Sequence, residues 1–155
     1  MHYLALKIVH IVSSAILFGT GFGAAYFMFM AARSRDTATI RTVTRHVILA
    51  DWIFTVPTVV IQPVTGIMLM RQLGVSETSA WFHWVLGLYS FIGACWLPML
   101  VLQYRLRRLA DRFDSDVAAR PAFDTTLRWW IALGIPAFSG AVGMFALMVF
   151  KPGMT

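Results

Sequence analysis

Two histidines and a file of threonines stand inside stretches of chain otherwise almost empty of polar chemistry. His10 falls within Ile8–Ala32 and His83 within Thr78–Tyr104, and neither run contains an Asp, Glu, Lys or Arg. Neutral imidazole nitrogens are good ligands for transition metals. A zinc site is poorly provided for, because no H-x-x-x-H or H-E-x-x-H spacing occurs and Cys95 is the only cysteine. No nucleophile elbow is present for a Ser-His-Asp hydrolase. Two imidazoles on facing helices can instead take opposite sides of one haem iron, since helix bundles often build cofactor sites in this way.

The elements that would position them are membrane spans. Trp52–Met70 and Trp129–Phe150 are also free of charge, which makes four such runs. Each approaches the roughly 20 residues of helix needed to cross a hydrocarbon core. Lipid gives the backbone no hydrogen-bond partner, and continuous apolar runs select helices over barrel strands. The expected fold is all-α, an integral membrane four-helix bundle in a single domain over residues 1–155, with spans at about 4–31, 47–70, 80–104 and 129–150. Composition agrees: 59% of residues are hydrophobic and 13% charged. The first run is too long and too bulky at its end for a cleaved signal peptide, so it is expected to be retained.

The net charge of +6 reads as topology, not as nucleic-acid binding. Arg33, Arg35, Arg41 and Arg45 crowd the first loop, and Arg105, Arg107, Arg108, Arg112, Arg120 and Arg128 the third. The second loop has Arg71 with Glu77, and the C-terminus has Lys151. Basic loops stay on the cytoplasmic side, which implies N-out and C-out in a bacterial inner membrane. Under that topology His10 lies about 9 Å below Leu4, and His83 about 4–5 Å below Ala80, so the two sit at similar depth near the outer face. His46 has no partner near the inner face, which argues against a two-haem electron wire.

Helical spacing places these residues on stripes. Lys7, His10 and Ser14 share one side of the first span with Gly21. Asp51, Thr55, Thr58, Gln62 and Thr65 run along the second, and His83, Gly87, Ser90 and Ala94 along the third. Polar atoms avoid lipid, so the three stripes are expected to meet inside the bundle. There Gly87 and Ser90 would leave room for a flat macrocycle, and Lys7, His2 and Arg71 would meet its propionates. The blander readings are interhelical glue for the threonine stripe and an aromatic belt around His83, between Trp81 and Trp84. Asp51 reads mainly as an anchor ion-paired with Arg45, or else as a proton-handling group. Gly19 and Gly23 mimic part of a dinucleotide fingerprint, but inside a helix they read as a small-xxx-small contact.

Tyr3-Leu4-x-Leu6-Lys7-x-x-His10 resembles the start of the HemJ-like protoporphyrinogen oxidases, four-helix membrane proteins that bind haem b. Copper resistance protein D begins one of its helices similarly. Trp81-x-His83 followed by Leu86 looks like the opening of a later helix in the HemJ-like group. Where that group carries a functional lysine, this chain has Val85, which argues against the oxidase activity. A longer resemblance, to the integral membrane family called domain of unknown function 2269, rests on five segments. These are Leu17-Phe18-Gly19-Thr20-Gly21, Ala50-Asp51-Trp52, Gln62-Pro63-x-Thr65-Gly66, Ala94-Cys95-Trp96-Leu97-Pro98 and Leu147-Met148-Val149-x-Lys151-Pro152. It implies the fold and the location, and haem only by kinship.

The expectation is therefore one haem b near the outer face, with His10 and His83 as axial ligands and a redox or porphyrin-related role. The alternative is an accessory or assembly protein without cofactor. Expected partners are membrane lipid and a second copy or another membrane protein.

Overall fold

A computed structural model describes residues 2–151. All regular structure among them is helical: α1 (His2–Ser34), α2 (Thr37–Ala50), a π-helical turn (Asp51–Thr55), α3 (Val56–Gln72), α4 (Ala80–Asp111) and α5 (Ala119–Phe150). With α2, the π turn and α3 running on as one, four helices are long and apolar enough to cross a membrane. At 1.5 Å per residue each is roughly 48–54 Å long, more than a hydrocarbon core of about 30 Å, so they continue into the loops flanking the expected spans. Pro152, which closes the last of the quoted motifs, lies outside the described residues.

Local chemistry sets the ends. Asp36 caps α2 by accepting from the Thr39 backbone N–H at 2.7 Å, and Ser79 caps α4 through the Phe82 N–H at 3.3 Å. The Thr39 hydroxyl and N–H hold the Asp36 carboxyl below its usual value. Gly74 leaves α3 at a φ of 68°, where a side chain would be strained. The π turn sits where Val56 N–H reaches back to Asp51 O and the next residue, Pro57, has no N–H to offer. Pro63 similarly leaves Val59 O without its helical donor, and the Tyr89 hydroxyl of α4 supplies one.

The apolar core lies toward the arginine-rich end, where Met28, Ala31, Ile40, Val47, Leu106, Ala110, Phe123, Leu127 and Trp130 pack together. Arg41 holds that end closed, donating to Ala110 O at 3.0 Å in the last turn of α4 and to Asp114 at 2.8 Å just beyond it. Outward faces carry exposed Ile8, Phe22, Phe54, Leu97, Val101 and Val149, an apolar surface of the kind lipid covers.

The tightest glycine contact is not where the glycine spacing put it. A Cβ on Gly19 or Gly23 would meet nothing within 4 Å, whereas one on Gly140 would stand 2.8 Å from Ile92 Cγ1. The α4–α5 hairpin thus uses glycines of the fourth span to bring two backbones together. Between α1 and α5 the contact is aromatic, with the Phe18 ring 4.8 Å from Phe138 and 5.4 Å from Phe145. Among the described residues no Cα of α3 comes within 8 Å of one on α4.

Candidate functional site

A polar seam joins α1 to α3. Thr65 is buried, and its hydroxyl donates to Ile61 O at 2.6 Å, as threonines in membrane helices commonly do. The same hydroxyl lies 2.7 Å from His10 Nδ1, and its single proton serves one of these acceptors at a time. With that proton on Ile61 O, His10 donates from Nδ1 and Nε2 carries the lone pair; with it on Nδ1, Nε2 carries the hydrogen. Gly66 lies beside the ring, since a Cβ there would be 3.4 Å from His10 Cε1. One turn deeper, Gln62 Nε2 donates to His10 O at 2.8 Å and to Ser13 Oγ at 2.7 Å. Ser13 in turn donates to His10 O at 3.1 Å. The imidazole is held from its ring and from its own peptide carbonyl.

The stripe on the second span is largely confirmed: Asp51, Thr55, Thr58 and Thr65 are buried, and Gln62 reaches across to α1. Two details differ. Ser13, not Ser14, faces α3, and Ser14 bonds back to Ile11 O on its own helix. Asp51 is not paired with Arg45, which is exposed. The ion pairs among the described residues are Arg35–Asp124, Arg41–Asp114 and Arg71–Glu77. Asp51 Oδ1 accepts from the Thr55 hydroxyl at 2.7 Å, Gln103 of α4 faces the same carboxyl, and Asp51 Oδ2 has no partner.

The stripe on the third span turns the other way. His83, Gly87, Ser90 and Ala94 are all exposed. At 100° per residue they lie roughly 100–180° around α4 from Leu88 and Ile92, which pack on α5. The expected meeting of three stripes in the interior is thus corrected: the second-span stripe meets α1 at His10 and Ser13, while Lys7 and Gly21 of the first-span stripe are exposed. Glycine sets this geometry, because α4 must offer its bulky side to the glycines of α5. His83 Nδ1 lies 2.9 Å from Ser79 O, a pure acceptor, so its Nε2 is free. Trp81, expected in an aromatic belt, is buried and donates to Leu147 O at 2.8 Å. His2, Lys7 and Arg71 are exposed; Lys7 lies 5.9 Å over the Tyr3 ring and Arg71 pairs with Glu77 at 3.1 Å.

A family model described as a predicted integral membrane protein, DUF2269, matches residues 4–152. The chain belongs to that family. No curated protein and no solved structure matches it. Within this DUF2269 protein, no three His, Cys, Asp or Glu side chains among the described residues group as a metal site. The donor chemistry at His10 fits a single nitrogen ligand to a haem iron: the ring is oriented through Nδ1, and Nε2 has no hydrogen-bond partner among the described residues. A pair from one chain does not fit this arrangement, because His83 faces away from the bundle. Sequence reasoning missed Ser13, Tyr89 and Gln103. A proline one turn from an interior stripe was the available signal for Tyr89, since its orphaned carbonyl needs a donor.

Proposed function

We propose that this DUF2269 protein binds one haem b through His10, near the outer face of a bacterial inner membrane, in a redox or porphyrin-related role. The observation that supports the reading is the His10–Thr65 hydrogen bond, which orients the ring through Nδ1 and, in the tautomer in which Thr65 gives its proton to Ile61 O, leaves Nε2 to a metal. Bound there, haem would supply an iron able to take a small ligand or pass an electron. The chain supplies positioning. Thr65 fixes the ring plane, Gly66 leaves it space, and Gln62 with Ser13 locks the His10 backbone to α3. Lys7, three residues before His10 on the same side of α1, offers a cation to a propionate. Protein made with ample haem should carry close to one haem per chain and give a high-spin spectrum. A haem-free product under those conditions would end the proposal.

The sidedness rests on the arginine asymmetry. A cysteine replacing Val75 should react with an impermeant thiol reagent in intact cells, and ones replacing Ser34 or Ser115 should not; the reverse pattern would invert the orientation. A second reading, a cofactor-free accessory or assembly protein, is favoured by the way Ser13, Gln62 and Thr65 bond with one another and with His10, which packing alone could explain. The haem content separates the two.

A further inference from the structure

A cleft of about 420 Å³ opens at the arginine-rich end in the seam between α2 and α4, lined by Thr42, Arg45, His46, Leu49, Trp52 and Arg107. No carboxylate lines it. Arg45 and Arg107 come from different helices, and neither belongs to an ion pair among the described residues. Arg41, one turn earlier on α2, is by contrast fully engaged by Ala110 O, Asp111 O and Asp114. The cleft is also ordered along the helices that line it. Its cationic and hydroxyl groups stand at the loop end, and Trp52 lies about 10 Å further along the helix. The Trp52 indole donates to the Tyr104 hydroxyl at 2.8 Å, tying the two helices together below the arginines. Leu49 and Trp52 present exposed apolar surface there. A cationic mouth above an apolar wall matches an amphiphile whose own anion and chains are stacked in the same order. A free inorganic anion would have no use for the wall.

We propose that this cleft binds the phosphate headgroup of an anionic phospholipid from the leaflet at the arginine-rich end, with the acyl chains lying over Leu49 and Trp52. Juxtamembrane arginines contribute favourably to such binding when they converge on one headgroup. The site is independent of His10 and of haem. Delipidated protein in mild detergent, titrated with dioleoylphosphatidylglycerol and separately with dioleoylphosphatidylcholine, tests it by native mass spectrometry. The anionic lipid should bind preferentially. Combining Arg45→Gln with Arg107→Gln should weaken it roughly 30-fold, and each single change roughly fivefold. If the combined variant loses helicity, the single variants decide. Arg105→Gln removes the lone arginine of a neighbouring cleft between α4 and α5 that also holds Pro121 and Trp129, and should leave the preference intact. Equal binding of the two lipids would overturn the proposal. An equal loss with Arg105→Gln would do so too, by reducing the effect to overall charge. Displacement of the lipid by equimolar inorganic phosphate would make this a free-anion site and overturn the lipid assignment.

Discussion

Replacing Gln62 with leucine tests whether the α1–α3 seam is a hydrogen-bonded structure. Gln62 Nε2 spends both hydrogens across the seam, on His10 O at 2.8 Å and on Ser13 Oγ at 2.7 Å. Polar contacts between membrane helices average about 0.6 kcal/mol, so losing two should cost about 1.2 kcal/mol. The cost should not reach the roughly 1–3 kcal/mol of an orphaned buried group. Ser13 keeps its own bond to His10 O, and leucine keeps the helix apolar. Ser13→Ala removes one of the same two contacts from the other side. The double variant should therefore be more stable than additivity predicts by about 0.6 kcal/mol, because the shared bond is lost once. Unfolding in mixed detergent and dodecyl sulfate micelles, followed by circular dichroism, measures each corner of the cycle. A Gln62→Leu protein more stable than wild type, or strict additivity with Ser13→Ala, would refute the network.

Gly140→Ala places a Cβ 2.8 Å from Ile92 Cγ1 and should cost about 1–3 kcal/mol in the same assay, while Gly19→Ala, with open space around it, should cost nothing. Equal effects would mean that the α4–α5 approach is looser than described. Asp51→Asn keeps the oxygen that accepts from Thr55 and exchanges the unpartnered Oδ2 for a donor, so it should match or exceed wild-type stability. Asp51→Leu should lose about 1–3 kcal/mol by leaving the Thr55 hydroxyl without the carboxylate acceptor it now has. Collapse of the asparagine variant would show that the carboxylate charge itself is required.

The spans and the second-span stripe were legible because both rest on strong rules: charge is excluded from lipid, and threonine, glutamine and aspartate turn away from it. Asp51, Thr55, Thr58 and Thr65 obey this even across a π turn. Small residues carry no such direction. Gly87, Ser90 and Ala94 suit either a lipid face or a close contact, and only the partner helix decides. Here the glycines of α5 took the close contact, and His83 was carried outward with its stripe. The choice of Ser14 over Ser13 failed by one residue, or about 100° of helix. That difference was beyond a stripe drawn through a span with so few polar residues. The tie from Asp51 to Arg45 failed because proximity in sequence did not outweigh the Thr55 hydroxyl one turn along the same helix.

The central claim is that His10 alone offers this chain's axial nitrogen to haem. Absorption spectra of wild type, His10→Ala and His83→Ala, all produced with ample haem and purified in mild detergent, test it most directly. The account predicts a Soret band in wild type, its loss or near loss in His10→Ala, and an unchanged band in His83→Ala. A Soret band that survives His10→Ala unaltered, or one that shifts with His83→Ala, would contradict it.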